Sequence, residues 1–135
     1  MKTAYFLILT LVIFSCKKEN DSTLALTGNW KFTITMQGNY IRYCNLNLVQ
    51  NDNNALAGSI TDTSFIDNTF IINEMKLLST SKIKGDSVLI DCLWQDPAIL
   101  NFRGIVNSKF NQMNGSYFSN VDYVPGTWSA IKSYK

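Results

Sequence analysis

Residues 28–36 read GNWKFTITM, and this stretch decides the fold class. Trp30, Phe32 and Ile34 alternate with polar residues, a period of two that indicates a β-strand with one buried face. Between residues 24 and 135 no apolar stripe of useful length repeats at helical spacing. The sequence therefore predicts an all-β domain.

The same alternation recurs in segments separated by short turns rich in Gly, Asn, Asp or Pro. The further predicted strands are residues 40–50, 56–61, 69–84, 87–94, 100–106, 113–117 and 126–133, of which 69–84 is the least regular. Gly58, Gly104 and Gly115 fall at inward positions, where a glycine marks a bend or a close backbone approach. Consecutive hairpin-linked strands lose their unpaired edges when the sheet closes. We expect an eight-stranded antiparallel up-and-down β-barrel, with a β-sandwich as the alternative.

The two ends of this domain carry short motifs. Gly28-Asn29-Trp30 opens the first strand, and Gly126-Thr127-Trp128, followed by Lys132, lies in the last. These motifs resemble the ends of lipocalin and avidin barrels, so the domain resembles a lipocalin-like barrel. The resemblance implies that Trp30 packs across the closed end beneath a cation, for which Lys132 and Arg103 are the candidates.

Residues 26–30 (LTGNW) are closer to the opening of avidins than to typical lipocalins. Trp94 and Phe102 also fall where an avidin has apolar walls for biotin. However, avidins hold biotin with an Asn and a Tyr at two positions where this chain has Phe32 and Ile60. Replacing two polar ligands by apolar side chains implies the loss of most biotin affinity.

Aromatic residues make up 13% of the chain, enough to line a pocket for an apolar ligand. The candidate ligand-binding residues are Trp30, Phe32, Trp94, Phe102, Tyr117 and Trp128. An eight-stranded barrel has room for either packed side chains or one small ligand. The small size of the domain favours a mostly filled interior.

The residues for most enzyme chemistry are missing. The chain has no His, which removes the commonest general base and most zinc sites. The acids available for carboxylate-only catalysis are Asp62, Asp67, Glu74, Asp91 and Asp96, and we expect them to be solvated in loops or on outward positions. Asn51–Asn54 could hold calcium weakly but is more typical of a turn. We expect no catalytic residues, no metal site and no cofactor.

The N-terminus resembles a bacterial lipoprotein signal. Lys2 precedes an apolar run, Ala4–Phe14, that is too short to span a bilayer. Ser15-Cys16 and the polar residues after it resemble a lipobox, although Ile13 and Phe14 depart from its preferred residues. An ordinary secretory signal is the alternative. The resemblance implies a signal peptide (1–15), a lipid on Cys16 within a flexible tether (16–23), and a barrel domain (24–135).

This anchor implies a location in the bacterial cell envelope, at the outer membrane, on its periplasmic or its surface face. Residues 17–21 (KKEND) resemble the charged stretches of lipoproteins that some bacteria export to the outer face. Asp21-Ser22-Thr23 also resembles an O-glycosylation motif of such proteins. The compartment permits a disulfide between Cys44 and Cys92, but several strands separate them, so two buried free thiols are the favoured state.

Removing residues 1–15 leaves 11 basic and 10 acidic side chains, a balance that argues against nucleic-acid binding. Two functions remain. The first is a small apolar ligand in the mouth of the barrel. The second is a non-enzymatic interaction protein, an accessory subunit or inhibitor that contacts an envelope protein through its loops. Those loops are Asp62–Asn68, Gln95–Ile99 and Ser119–Pro125, with Phe65, Ile66, Pro97 and Tyr123 as anchors.

Overall fold

The computed structural model describes residues 25–63, 65–66, 69–70, 73–95, 97–121 and 125–134. The predicted signal peptide (1–15), the tether (16–23) with its anchor Cys16, and Leu24 lie outside the described residues. No helix in the part of the chain that the structure describes could span a membrane.

The described residues form β-strands joined by turns. The strands are β1 (Gly28–Thr35), β2 (Ile41–Gln50), β3 (Leu56–Asp62), β4 (Phe65–Ile66), β5 (Thr69–Phe70), β6 (Asn73–Lys76), β7 (Lys82–Lys84), β8 (Ser87–Gln95), β9 (Ala98–Val106), β10 (Gln112–Ser119) and β11 (Gly126–Lys132). β4 and β5 pair with each other in a small sheet of their own. The other nine form one antiparallel sheet in the order β6-β3-β2-β1-β11-β10-β9-β8-β7, in which the first strand of the chain lies beside the last.

The two ends of this sheet meet, because β6 and β7 share the place of one strand between β3 and β8. β6 pairs with β3, and Leu77, the residue after β6, forms a bridge with Cys92 of β8. β7 pairs with β8, and its residue Lys82 forms a bridge with Ala55, just before β3. The sheet therefore closes on itself through a divided strand.

The prediction of an all-β antiparallel up-and-down barrel is confirmed. The main sheet has nine strands instead of the expected eight because the single strand predicted over residues 69–84 is interrupted. After β6 the chain turns between Leu78 and Ser81, where the Ser81 N–H donates to the Leu78 carbonyl at 3.0 Å, and only then resumes as β7. Asn51–Asn54 forms the expected turn, with Asn54 in the left-handed region at a φ of 65°.

The barrel interior is built from the inward residues of every long strand. Trp30, Phe32 and Ile34 of β1 are all buried, as their alternation predicts. Gly104 and Gly115 face each other across the β9–β10 pair. A Cβ on Gly104 would lie 2.2 Å from the Asn114 carbonyl oxygen, so this close approach of two strands requires glycine.

Candidate functional site at the open end of the barrel

One end of the barrel is closed by Trp30, whose side chain is 1% exposed. Its indole Nε1 donates a 3.0 Å hydrogen bond to the Leu26 carbonyl. The Lys132 ammonium lies 5.5 Å from the centroid of the Trp30 ring and donates to the Ala25 carbonyl at 2.6 Å. Burial lowers the pKa of Lys132. The structure thus brings together Trp30 and Lys132, two of the three residues considered for barrel closure.

Arg103, the third residue, lies elsewhere. It alternates with Phe102 and Gly104 and therefore points to the outside of the barrel. There its Nη1 lies 2.5 Å from Asp91 Oδ1, and its guanidinium lies 5.9 Å from the centroid of the Phe118 ring. The expectation that Arg103 could cover Trp30 is corrected, because its position in the alternation places it on the outer face.

The Asp91 side chain also lies on the outer face, but it is buried, whereas the sequence predicts it to be solvated. It is 7% exposed because the turn that divides β6 from β7 packs against it. Thr80 Oγ1 donates to Asp91 Oδ2 at 2.6 Å, and Ser81 Oγ bonds to both the N–H and the carbonyl of Asp91. Of the other acids, Glu74 is exposed, Asp62 is buried, and Asp67 and Asp96 lie outside the described residues.

The middle of the barrel is filled by aromatic side chains. The Phe32 ring stacks on Trp128 with 5.3 Å between centroids and meets Phe102 edge-on at 5.2 Å. Trp128 Nε1 donates to the Ser116 carbonyl at 3.0 Å, which satisfies the buried indole. Trp30, Phe32, Phe102 and Trp128 are each at most 2% exposed and belong to this packed core, and they do not line the cavity at the open end.

A cavity of about 470 Å³ lies at the opposite, open end. Trp94 and Tyr117, the remaining two candidate ligand-binding residues, line it. Its full lining is Met36, Gln37, Tyr40, Trp94, Leu100, Tyr117 and Ser119. Burial raises the pKa of the Tyr117 hydroxyl. Sequence reasoning missed Met36, Gln37 and Tyr40, although Met36 continues the inward series of Phe32 and Ile34.

An ion pair lies beside this cavity, inside the barrel. Arg42 Nη1 is 2.5 Å from Asp62 Oδ2, and Asp62 is 4% exposed. The Arg42 guanidinium lies 5.7 Å from the centroid of Trp94 and 6.0 Å from that of Tyr40. Arg42 lies two positions before the buried Cys44, and Asp62 lies two positions after the buried Ile60, so each side chain shares the inward face of its strand. The sequence predicts that Asp62 starts a loop, but Asp62 is the last residue of β3.

Two of the predicted interaction loops are joined at this end. The Asn120 side chain accepts a 2.6 Å hydrogen bond from the Ile99 N–H and donates to the Pro97 carbonyl at 3.1 Å. Of the proposed anchors, Pro97 is exposed and Tyr123 lies outside the described residues. Phe65 and Ile66 form β4 instead of belonging to an irregular loop.

Cys44 and Cys92 are both free, buried thiols in the described part of the chain. Burial raises the pKa of each to about 12, and a neighbouring carboxylate adds to the effect, Asp62 at Cys44 and Asp91 at Cys92. Within the same residues no cluster of three or more metal-binding side chains occurs.

Comparisons with known proteins support the fold. A solved structure titled as a de novo designed fluorescence-activating β-barrel superposes with a TM-score of 0.62 at 10% sequence identity, covering 84% of this chain and 98% of the design. No protein-family model matches the chain, and no curated protein matches it. The similarity shows that the chain has a β-barrel fold.

Proposed function

We propose that this chain is a lipid-anchored protein of the bacterial cell envelope whose barrel binds a small apolar molecule at its open end. The cavity beside Trp94 and Tyr117 carries the proposal. Its volume of about 470 Å³ lies within the range of roughly 300–1,000 Å³ that small-molecule sites occupy. Binding, and not catalysis, is the activity proposed, with no cofactor.

The walls of the cavity support an apolar ligand. Met36, Leu100 and three aromatic rings provide most of the lining, and Gln37 and Ser119 add polar groups. Sites of this kind combine apolar walls with a few polar groups that orient the ligand. The designed barrel that resembles this chain is described as fluorescence-activating, and this description supports a binding role for the fold.

Titration with a neutral environment-sensitive dye tests this proposal. The dye should shift its emission to shorter wavelength on binding, and Trp94→Ala should weaken binding by about tenfold or more, since an aromatic wall contact contributes ~1–2 kcal/mol. Tyr43→Ala is the control, because Tyr43 is 67% exposed on the outer face. Equal effects of the two variants, or no binding at all, would contradict a ligand site at the open end.

The lipid anchor is supported by the apolar run before Cys16 and the polar tether after it. Cys16→Ser should move the protein from the membrane fraction to the soluble fraction of the cell. A Ser variant that still sediments with membranes would refute acylation. Protease added to intact cells should remove the domain if residues 17–21 direct it to the outer face, and full protection would place it in the periplasm.

The second candidate is an interaction protein that contacts an envelope partner through its loops. The Asn120 bridge favours it, because it holds residues 97–99 and 119–121 together as one surface. Phe118 and Val121 are exposed beside this bridge. Native mass spectrometry of protein purified from its own membrane separates the two candidates, since a retained small molecule supports the first and a retained protein the second.

A further inference from the structure

The Arg42–Asp62 ion pair supplies information about the chemistry of the ligand. Both side chains lie on inward positions of neighbouring strands, and the pair as a whole carries no net charge. A charged ligand group placed beside it would bring an uncompensated charge into a poorly solvated site, which is costly. A ligand carboxylate would in addition face the Asp62 carboxylate, and like charges at short range repel.

Arg42 has a donor that the ion pair does not use. Its Nε is inaccessible to solvent and has no hydrogen-bond partner among the described residues. A buried donor without a partner costs roughly 1–3 kcal/mol, and more when the group is charged. A ligand that places a hydrogen-bond acceptor beside Arg42 would remove this cost, so the group favours acceptor-bearing ligands over plain hydrocarbons.

The space beside the ion pair has the size of one acceptor atom. A second cavity of only about 10 Å³ is lined by Arg42 and Asp62 and shares Met36, Trp94 and Leu100 with the main cavity. A volume of ~10–15 Å³ holds about one water molecule, and a carbonyl oxygen needs no more. A branched or extended polar head, such as a phosphate, does not fit this volume.

The walls above the ion pair favour flat ligands. The Arg42 guanidinium lies over the rings of Tyr40 and Trp94, at 6.0 and 5.7 Å from their centroids. Both rings line the main cavity together with Tyr117. Aromatic walls gain most from a planar partner that stacks on them or meets them edge-on.

We propose that the ligand of this cavity is a neutral, flat apolar molecule with a carbonyl-type acceptor, oriented by Arg42, and not a fatty acid or other carboxylate. This inference rests on the proposed function, since it concerns the same cavity. Arg42 acts as the binding residue and Asp62 as the group that excludes anions.

Three fluorescent probes on one scaffold test the inference. They are a naphthyl ketone that carries a dimethylamino group, the matching naphthoic acid, and the parent dimethylaminonaphthalene without an acceptor. The wild-type protein should bind the ketone about tenfold more tightly than either of the others, a difference of ~1.4 kcal/mol. Equal binding of all three, or tightest binding of the acid, overturns the inference but leaves a ligand site in place. No binding of any probe overturns the proposed function as well.

A charge-neutral substitution tests the role of Asp62. Asp62→Asn keeps the shape of the side chain and leaves Arg42 as a net positive charge, so the ratio of acid to ketone affinity should rise by about tenfold. Asp91→Asn is the matched control, because it makes the same change in the Arg103–Asp91 pair on the outer face and should leave the ratio unchanged. An unchanged ratio in Asp62→Asn would overturn the exclusion of anions, and the wild-type comparison remains decisive if that variant does not fold.

Discussion

At the level of single residues, the tryptophans at the closed end and at the open end of the barrel have different surroundings. Trp30 and Trp94 both lie on inward positions, yet the first is sealed beneath Lys132 and the second lines a cavity. Alternation tells which side of a strand faces inward, but not how far along the barrel axis a residue lies. For this reason the alternation did not separate the four aromatic candidates outside the cavity from Trp94 and Tyr117, which line it.

The contact between Trp30 and Lys132 should appear as a coupling energy. Trp30→Ala should cost about 3–5 kcal/mol, the usual range for a buried aromatic, and Lys132→Ala about 0.5–2 kcal/mol. Because each variant removes the shared contact, the double variant should be less destabilised than the two losses added together. Chemical denaturation measures all four proteins.

Arg103 provides the control for this double-mutant cycle of Trp30 and Lys132. Trp30→Ala and Arg103→Ala should be additive, since Arg103 lies on the outer face beside Asp91. Additivity in the Lys132 cycle as well would mean that Trp30 is ordinary core without a stabilising cation.

The buried thiols make stability depend on alkaline pH. Folding raises the pKa of Cys44 and of Cys92 from 9.0 to about 12, so the unfolded chain loses these protons first. The stability that the protonated thiols contribute is complete below pH 9 and is lost as the pH rises towards 12. Denaturant midpoints measured over this range should fall more for the wild type than for the Cys44→Ala, Cys92→Ala double variant. Parallel curves for the two proteins would refute this linkage.

Among the strands, the one predicted over residues 69–84 differs most from the structure. Periodicity predicted β1 to β3 and β8 to β11 within a few residues, because each keeps one face inward along its length. Residues 69–84 cannot keep that pattern, since the chain turns at Leu78–Ser81 and resumes as β7. Side-chain hydrogen bonds from Ser81 and Thr80 then replace part of the backbone hydrogen bonding between strands. Such a replacement does not produce a periodic pattern in the sequence.

We expect the division of this strand into β6 and β7 to depend on Ser81. It is fully buried, donates to the Asp91 carbonyl at 3.0 Å and accepts from the Asp91 N–H at 2.9 Å. Ser81→Ala leaves both groups without this partner and should cost about 1–3 kcal/mol. Amide hydrogen exchange at Asp91 should accelerate in the same variant. Ser79→Ala, at an exposed position of the same turn, should change neither quantity; equal effects would assign the loss to the turn as a whole.

At the scale of the molecule, closure makes the two ends of the barrel parts of one cooperative unit. The core runs without interruption from Trp30 through Phe32 and Phe102 to Tyr117 at the cavity. The run of short hairpin-linked strands in the sequence predicted this closed architecture. The ion pair at the open end was not foreseen, because pairing Arg42 with Asp62 requires the register of β2 against β3.

Unfolding should therefore be a single transition. Tryptophan fluorescence reports on both ends and the middle of the barrel, and far-ultraviolet circular dichroism reports on the strands, so their midpoints in denaturant should coincide. An earlier fluorescence transition that disappears in Trp94→Phe would show that the open end melts independently.

The pairing of the first strand with the last also has a consequence for the time course of biosynthesis. Lys132 and Ala25, which bond at the closed end, lie 107 positions apart. At a synthesis rate of about 5–20 residues per second, roughly 5 to 20 seconds separate the emergence of the two from the ribosome. During that interval β1 has one neighbour and exposes an unpaired edge. The nascent chain therefore cannot close its barrel until β11 has been made.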